Sequence, residues 1–93
     1  MTLKYTDRSK VDVELSFRWY ELQRKGLGIE FLECIEKSIN SIISFPEMYQ
    51  IDYSHFRRCV INKFPFSIFY TIEKRTIVIH SVFDNRRDPE KRP

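Results

Sequence analysis

Apolar positions in the first half of the chain recur at helical spacing. Over residues 7–25 and again over residues 32–42, apolar side chains follow one another at intervals of three or four, the period of an amphipathic helix. Gly26-Leu27-Gly28 separates the two segments, and Pro46 ends the second at or before the preceding residue. We therefore predict a helical hairpin. Its apolar rows are Val11, Leu15, Trp19 and Leu22; then Val13, Phe17 and Tyr20; and in the second helix Leu32, Ile35, Ile39 and Ile42.

The second half of the chain has the composition of strands. Residues 56–62, 66–72 and 76–83 are rich in β-branched and aromatic side chains, and connections as short as theirs join only antiparallel neighbours. Residues 3–6 are predicted to form a short first strand, and residues 49–54 a polar connection. The fold class is therefore α+β, in the order β-α-α-β-β-β, with the hairpin packed on a small antiparallel sheet whose other face is partly open.

Neither a linker nor a repeat divides the sequence, so we predict one domain over residues 1–93, ending in a polar and mobile C-terminal tail over residues 84–93. Hydrophobic residues make up 42% and aromatic residues 15% of the chain, which excludes intrinsic disorder. The chain shows neither a signal-peptide pattern nor an apolar run long enough for a membrane span, and its two cysteines, Cys34 and Cys59, lie among apolar neighbours. These features predict a cytoplasmic protein with reduced thiols.

The charge distribution differs between the two halves of the chain. The net charge is +3, which is too small by itself to indicate a nucleic-acid partner. Residues 7–47 carry six basic and eight acidic side chains, whereas residues 55–75 carry five basic side chains and one acidic side chain. A basic surface is therefore expected on the predicted sheet. The sequence contains neither a Gly-rich phosphate loop nor zinc-ligand spacing, so no metal or nucleotide cofactor is predicted.

Several local strings occur together in an order that resembles the RelE/ParE superfamily of toxins from type II toxin–antitoxin systems. The resemblance covers about the whole chain. The strings are Trp19-Tyr20-Glu21 with Gln23, Gly26-Leu27-Gly28 with Phe31-Leu32, Pro46 with Tyr49, Arg57-Arg58, Phe64-Pro65-Phe66 with Ile68 and Tyr70, and Arg86-Arg87-Asp88-Pro89.

The resemblance implies a bacterial toxin that a cognate antitoxin neutralises by wrapping over it, with a hetero-oligomer of the two as the stored form. It implies two alternative targets. ParE-like members inhibit DNA gyrase, whereas RelE-like members cut mRNA in the ribosome. We favour the gyrase target, and a non-toxic remnant that only binds antitoxin is a third alternative.

A ribonuclease needs a base, an acid and cations around the reacting phosphate. If the chain cuts RNA, its catalytic residues would be Arg58, Asp84 and Arg86. Asp84 stands where many relatives place a histidine, and an aspartate of ordinary pKa is a poor acid at neutral pH. His80 falls inside a predicted strand, where a structural role is favoured, and His55 is expected on the surface. Whether the chain is an enzyme therefore stays open.

The sequence also offers candidate residues for binding the target and for binding the antitoxin. Arg57 and Arg58 are neighbours on a strand and must point to opposite faces, but the pattern does not tell which face is open. Trp19 and Tyr20 are predicted to be core residues, with an alternative role in binding antitoxin. The predicted target-binding residues are Arg57, Arg58, Lys63, Arg86 and Arg87. The predicted antitoxin-binding residues are Trp19, Tyr20, Phe69 and Tyr70.

Overall fold

The computed structural model describes all 93 residues, and its two helices pack against one face of a five-stranded sheet with the strand order β1-β5-β4-β3-β2. Neither helix is long and apolar enough to cross a membrane. The elements are β1 (Thr2–Tyr5), α1 (Asp7–Gln23), α2 (Leu27–Ser44), β2 (Ile51–Tyr53), β3 (Phe56–Val60), β4 (Phe66–Glu73), β5 (Thr76–Asp84) and a 3-10 helix (Pro89–Lys91).

The structure confirms the predicted α+β fold and corrects two details of the sheet. The sheet is mixed rather than antiparallel, because β1 pairs in parallel with β5, placing Leu3 opposite Ile77. The short edge strand β2 lies in the segment predicted to be a polar connection. Its three residues are mostly exposed, so no alternation of buried and exposed side chains marks it in the sequence.

The turn of the helical hairpin is stabilised by a carboxylate from the preceding helix. Gly26 adopts a left-handed conformation, with φ of 89°, and offers no side chain to cap α2. The Glu21 carboxylate accepts hydrogen bonds from the backbone N–H groups of Gly26, at 3.0 Å, and Gly28, at 2.9 Å. These bonds hold the pKa of Glu21 below its ordinary value. An anion at a helix N-terminus is also favoured by the helix dipole.

The core between the hairpin and the sheet is built largely from aromatic rings. Phe31 of α2 is fully buried, and its ring lies 5.3 Å from those of Tyr20 and Phe64 and 5.1 Å from that of Phe66. Aliphatic side chains from α2, β4 and β5 extend this core along the sheet. Burial of these groups is the main source of stability in a chain of this size.

Helix α1 is rotated so that its longer apolar row faces away from the core. Val13 and Phe17 are half-buried and Tyr20 is buried, whereas every member of the other row is at least half exposed. The sequence predicts a broad apolar face on α1, but α2 and the small sheet together cover only part of that face. We call the exposed side chains the α1 apolar row; they are Val11 (50% exposed), Leu15 (61%), Trp19 (54%) and Leu22 (83%).

The edge of β5 beyond the end of β1 is closed by a side chain from α1. One carboxylate oxygen of Asp12 accepts hydrogen bonds from the hydroxyl of Ser81, at 2.8 Å, and from the backbone N–H of Val82, at 3.0 Å. Asp12 therefore joins α1 to the strand and covers an edge that would otherwise be open to further strand pairing.

Replacing Asp12 by Ala is expected to lower the free energy of unfolding by about 1–3 kcal/mol, because the buried Ser81 hydroxyl and the Val82 N–H lose their acceptor. Urea unfolding measures the change. Glu14→Ala on the same helix is the control, since that carboxylate is exposed and should cost less than about 0.5 kcal/mol. Equal effects of the two substitutions would show that Asp12 does not stabilise the strand edge.

Candidate functional site

Arg57 and Arg58 point to opposite faces of the sheet, and the structure tells which is which. The Arg57 guanidinium donates to the backbone carbonyls of Tyr49, at 2.7 Å, and Glu47, at 3.1 Å. It thus lies on the helix side of the sheet, where it holds the loop that follows α2. Its neighbour Cys59 on the same face of the strand is buried in the core.

Arg58 lies on the other side of the sheet, which we call the outer face. Its Nε donates to the Ser67 hydroxyl at 2.9 Å and its Nη2 to the Asn85 side-chain oxygen at 2.7 Å. The guanidinium also stands 5.4 Å from the centre of the Phe69 ring, a cation–π contact. Arg58 therefore links β3, β4 and the residue that follows β5, and two of its five donors are already engaged within the chain.

Asp84 and Arg86 form a second site on the helix side of the sheet. Asp84 pairs with Phe66 across the antiparallel ladder, so the two side chains share a face, and Phe66 belongs to the core. Arg86 donates to both Asp84 carboxylate oxygens, at 3.0 and 2.8 Å. This ion pair holds the pKa of Asp84 below its ordinary value, so the carboxyl group is even less suited to donate a proton.

A cleft of about 250 Å³ connects this ion pair with the α1 apolar row. Asp84 and Arg86 line one side, Leu15 and Trp19 the other, and Tyr20 and Phe66 lie at its base. Apolar and charged surface therefore meet in one place, although the residues come from the two ends of the chain. The sequence marks Trp19 and Arg86 as separate candidates, because nothing in their spacing indicates that they are neighbours in the fold.

The remaining predicted target-binding residues lie apart from one another. Arg87 stands 5.7 Å from the ring of Phe83, whose ladder partner Ser67 contacts Arg58 on the outer face. Lys63 occupies the turn between β3 and β4, with a φ of 68°. The structure thus brings Arg58 and Arg87 to the outer face and Arg86 to the cleft, and it does not join the five predicted cations in one surface.

Of the four residues predicted to contact the antitoxin, one is exposed and three are buried. Trp19 is 54% exposed, so the prediction that it is a core residue is wrong and its alternative role in binding a partner is open. Tyr20 is buried, as a core residue should be. Phe69 and Tyr70 are fully buried and present no surface to a partner in this conformation. β4 is covered on both faces, by the core on one and by Arg58 and Tyr53 on the other, and antitoxin binding by Phe69 and Tyr70 stays a prediction.

The two histidines have structural surroundings. The His80 Nε2 lies 2.8 Å from the Thr71 hydroxyl and 3.7 Å from the Glu73 carboxylate, and its ring contacts Phe56 edge-on. Burial lowers the pKa of His80, while the Glu73 charge acts in the opposite direction. His55 is exposed at the turn before β3. Both positions agree with the sequence prediction.

The C-terminal segment folds back over the outer face. The Arg92 guanidinium stacks 4.2 Å from the centre of the Tyr53 ring and donates to Asp52 at 2.9 Å, and Arg8 of α1 donates to the Lys91 carbonyl. Asp88 caps the 3-10 helix by accepting from the Glu90 N–H. The polar composition of these residues does not predict these contacts, because cation–π contacts and ion pairs between residues far apart in the sequence leave no periodic signal.

The Tyr70 hydroxyl donates a 2.6 Å hydrogen bond to the Pro46 carbonyl. Burial raises the pKa of this phenol from 10.0 to about 12. The folded chain therefore keeps the Tyr70 proton at pH values where the unfolded chain has lost it. The stability that Tyr70 contributes is fully present below about pH 10 and is lost as the pH rises toward 12.

We expect the wild-type chain to lose up to about 3 kcal/mol more stability than Tyr70→Phe between pH 9 and pH 12, since each unit of pKa shift corresponds to about 1.4 kcal/mol. Because all other titratable groups are the same in the wild-type chain and in Tyr70→Phe, their effect on the unfolding free energy cancels in the difference between the two. Parallel curves of unfolding free energy against pH would contradict the assignment.

Comparison with known proteins agrees with this architecture. The family model described as ParE toxin of type II toxin–antitoxin system, parDE, matches residues 3–89. The chain belongs to this toxin family, and hence to the RelE/ParE superfamily that its motifs predict. Membership in a toxin–antitoxin system implies a cognate antitoxin as partner.

The fold is also similar to a solved structure of the chromosomal ParDE TA system from P. aeruginosa. The TM-score is 0.81 at 15% sequence identity, over 90% of this chain and 95% of that chain. At this identity the likeness concerns the fold. None of the curated proteins compared with the chain matches it.

Proposed function

We propose that this toxin acts by binding and inhibiting DNA gyrase rather than by cutting RNA. The observation that carries the proposal is the separation of the candidate catalytic groups. Arg58 lies on the outer face, where Ser67 and Asn85 engage it, whereas Asp84 and Arg86 lie on the helix side. General acid–base chemistry needs its groups within hydrogen-bond reach of one substrate.

The protonation state of Asp84 supports the same proposal. Its carboxylate is neutralised by Arg86, which lowers its pKa, and neither histidine lies in the cleft that holds the ion pair. A binding function needs no proton donor. An exposed arginine beside exposed apolar side chains is instead typical of the anchors of protein interfaces.

The proposed binding surface is the cleft between the α1 apolar row and the Asp84–Arg86 pair, and it extends past the end of β5 to the exposed Arg87, which lies toward the outer face. The antitoxin would cover Trp19 and the adjacent row with an apolar segment and meet the arginines with acidic side chains. Such a hetero-oligomer would store the toxin in an inactive form by covering the surface that the target needs.

Expression of the chain without its antitoxin tests the proposal in bacteria. Double-strand breaks with an SOS response, and intact messages, are the expected results. Messages cut within codons, with no DNA damage, would overturn the gyrase proposal in favour of ribosome-dependent RNA cleavage. Normal growth of cells that contain the folded chain would overturn both and leave an antitoxin-binding remnant.

The double substitution Arg86→Ala with Arg87→Ala is expected to abolish growth inhibition. Loss of a charged contact costs about 2 kcal/mol, or about 30-fold in affinity for each arginine. The fold should persist, because Arg86 is 64% exposed. The matched control is Arg24→Ala with Lys25→Ala, which removes the same charge from the exposed hairpin turn and should leave toxicity unchanged. Unchanged toxicity of the first variant would remove both arginines from the target surface.

A further inference from the structure

The α1 apolar row is an unusual surface for a chain of this size. Its four side chains are 50–83% exposed and, at about 3.6 residues per turn, they lie within an arc of about 80° along the helix. Contiguous apolar surface of this kind marks a site of association.

The charges beside the row suit a second copy of the same helix. Glu14 and Arg18 lie one turn apart on one flank of the row, and their side chains, 58% and 68% exposed, already form a 2.6 Å ion pair. If two α1 helices run antiparallel with Leu15 of each near Trp19 of the other, Glu14 of each helix comes within about two residues, or about 3 Å along the axis, of Arg18 of the other. Val11 of each helix then lies near Leu22 of the other. In this arrangement apolar side chains face apolar ones and each acidic side chain faces a basic one.

A parallel pair lacks this match, because its two-fold axis sets the flank that carries Glu14 and Arg18 against the opposite flank of the other helix. The antiparallel arrangement also opposes the two helix dipoles favourably. It brings the indole of the second copy beside Leu15, next to the cleft that Ser16 and Tyr20 line. The cleft therefore receives the largest exposed ring of the row.

We propose that two copies of the free toxin pair through the α1 apolar row, with their α1 helices antiparallel. The pairing is independent of which target the toxin inhibits. One consequence rests on the proposed function: because the antitoxin is placed on the same row, the toxin pair and the antitoxin complex exclude each other. The contact of two single helices is small, so the pair is weak, with dissociation in the micromolar range.

Charge reversal tests the pairing and its orientation. Sedimentation velocity of the purified chain without antitoxin, from about 1 to about 200 µM, should show a reversible monomer–dimer equilibrium. Glu14→Arg and Arg18→Glu should each weaken dimerisation at least about tenfold, because each variant sets like charges against one another across the antiparallel pair. An equimolar mixture of the two variants should recover the dimer, since one carries two basic and the other two acidic side chains on this flank.

The matched control is Glu33→Arg and Lys37→Glu, an exposed pair at the same spacing on α2, whose reversal should leave the dimer unchanged. Leu15→Glu should abolish the dimer, and circular dichroism verifies that every variant is folded. A wild-type chain that stays monomeric at the highest concentration overturns the proposal. So does a dimer that survives Leu15→Glu, or a mixture of the two charge variants that stays monomeric. None of these results bears on growth inhibition, so the failure of this proposal and that of the gyrase proposal are distinguishable.

Discussion

Phe31→Ala is expected to lower the free energy of unfolding by about 3–5 kcal/mol, the range for removal of a buried aromatic ring. The Phe31 ring is fully buried and contacts the rings of Tyr20, Phe64 and Phe66. These rings come from both helices and the sheet, so they cannot all move into the cavity without separating the layers. Against a total stability of about 5–15 kcal/mol for native proteins, this loss is a large fraction of the free energy that keeps the chain folded.

Urea unfolding followed by circular dichroism measures the effect, and Phe45→Ala is the control because Phe45 is 62% exposed. The control should change stability by less than about 0.5 kcal/mol. A loss below about 1 kcal/mol in Phe31→Ala would mean that the aromatic cluster does not hold the hairpin on the sheet.

Gly28→Ala is expected to cost about 2–4 kcal/mol, because the two helices meet closely at this position. A Cβ atom on Gly28 would lie 2.8 Å from both the Phe17 backbone oxygen and a carbon of its ring, and 2.9 Å from a Glu21 carboxylate oxygen. The carboxylate is the group that caps α2, and the backbone of α1 cannot yield locally.

Gly26→Ala separates this steric effect from the conformational one. Gly26 has a φ of 89° and open space around an added Cβ, so Ala there should cost only about 1 kcal/mol for the left-handed conformation. Thermal unfolding should rank the wild type above Gly26→Ala and Gly26→Ala above Gly28→Ala. The reverse order of the two variants would contradict the close helix contact.

The fold was largely predictable from the sequence because local patterns specify it. The period of the apolar residues locates both helices, Gly26 and Gly28 mark the turn, and β-branched and aromatic runs locate β3, β4 and β5. The parallel pairing of β1 with β5 was not predictable, since it joins residues about 74 positions apart and depends on how the whole hairpin closes over the sheet.

The site was less predictable because it depends on side-chain direction. The sequence requires Arg57 and Arg58 to lie on opposite faces, but only the pairing of β3 with β4 tells that Arg58 joins Ser67 and Phe69 on the outer face. Likewise, Trp19 and Tyr20 are adjacent apolar positions about 100° apart around the helix, and the orientation of α1 about its axis decides which of them enters the core. Asp84 and Arg86 are two residues apart in the sequence. This spacing does not tell whether the two side chains pair with each other or act separately on a substrate.

We propose that the toxin works by binding gyrase, with Arg86 as an anchor rather than a catalytic group. The direct test is DNA supercoiling by purified gyrase with ATP, run beside mRNA cleavage on programmed ribosomes, each with the wild-type chain and with Arg86→Ala. We expect the wild-type chain to inhibit supercoiling, Arg86→Ala to inhibit it about 30-fold less well, and neither chain to cut mRNA. Ribosome-dependent cleavage of mRNA by the wild-type chain, with supercoiling unaffected, would contradict it.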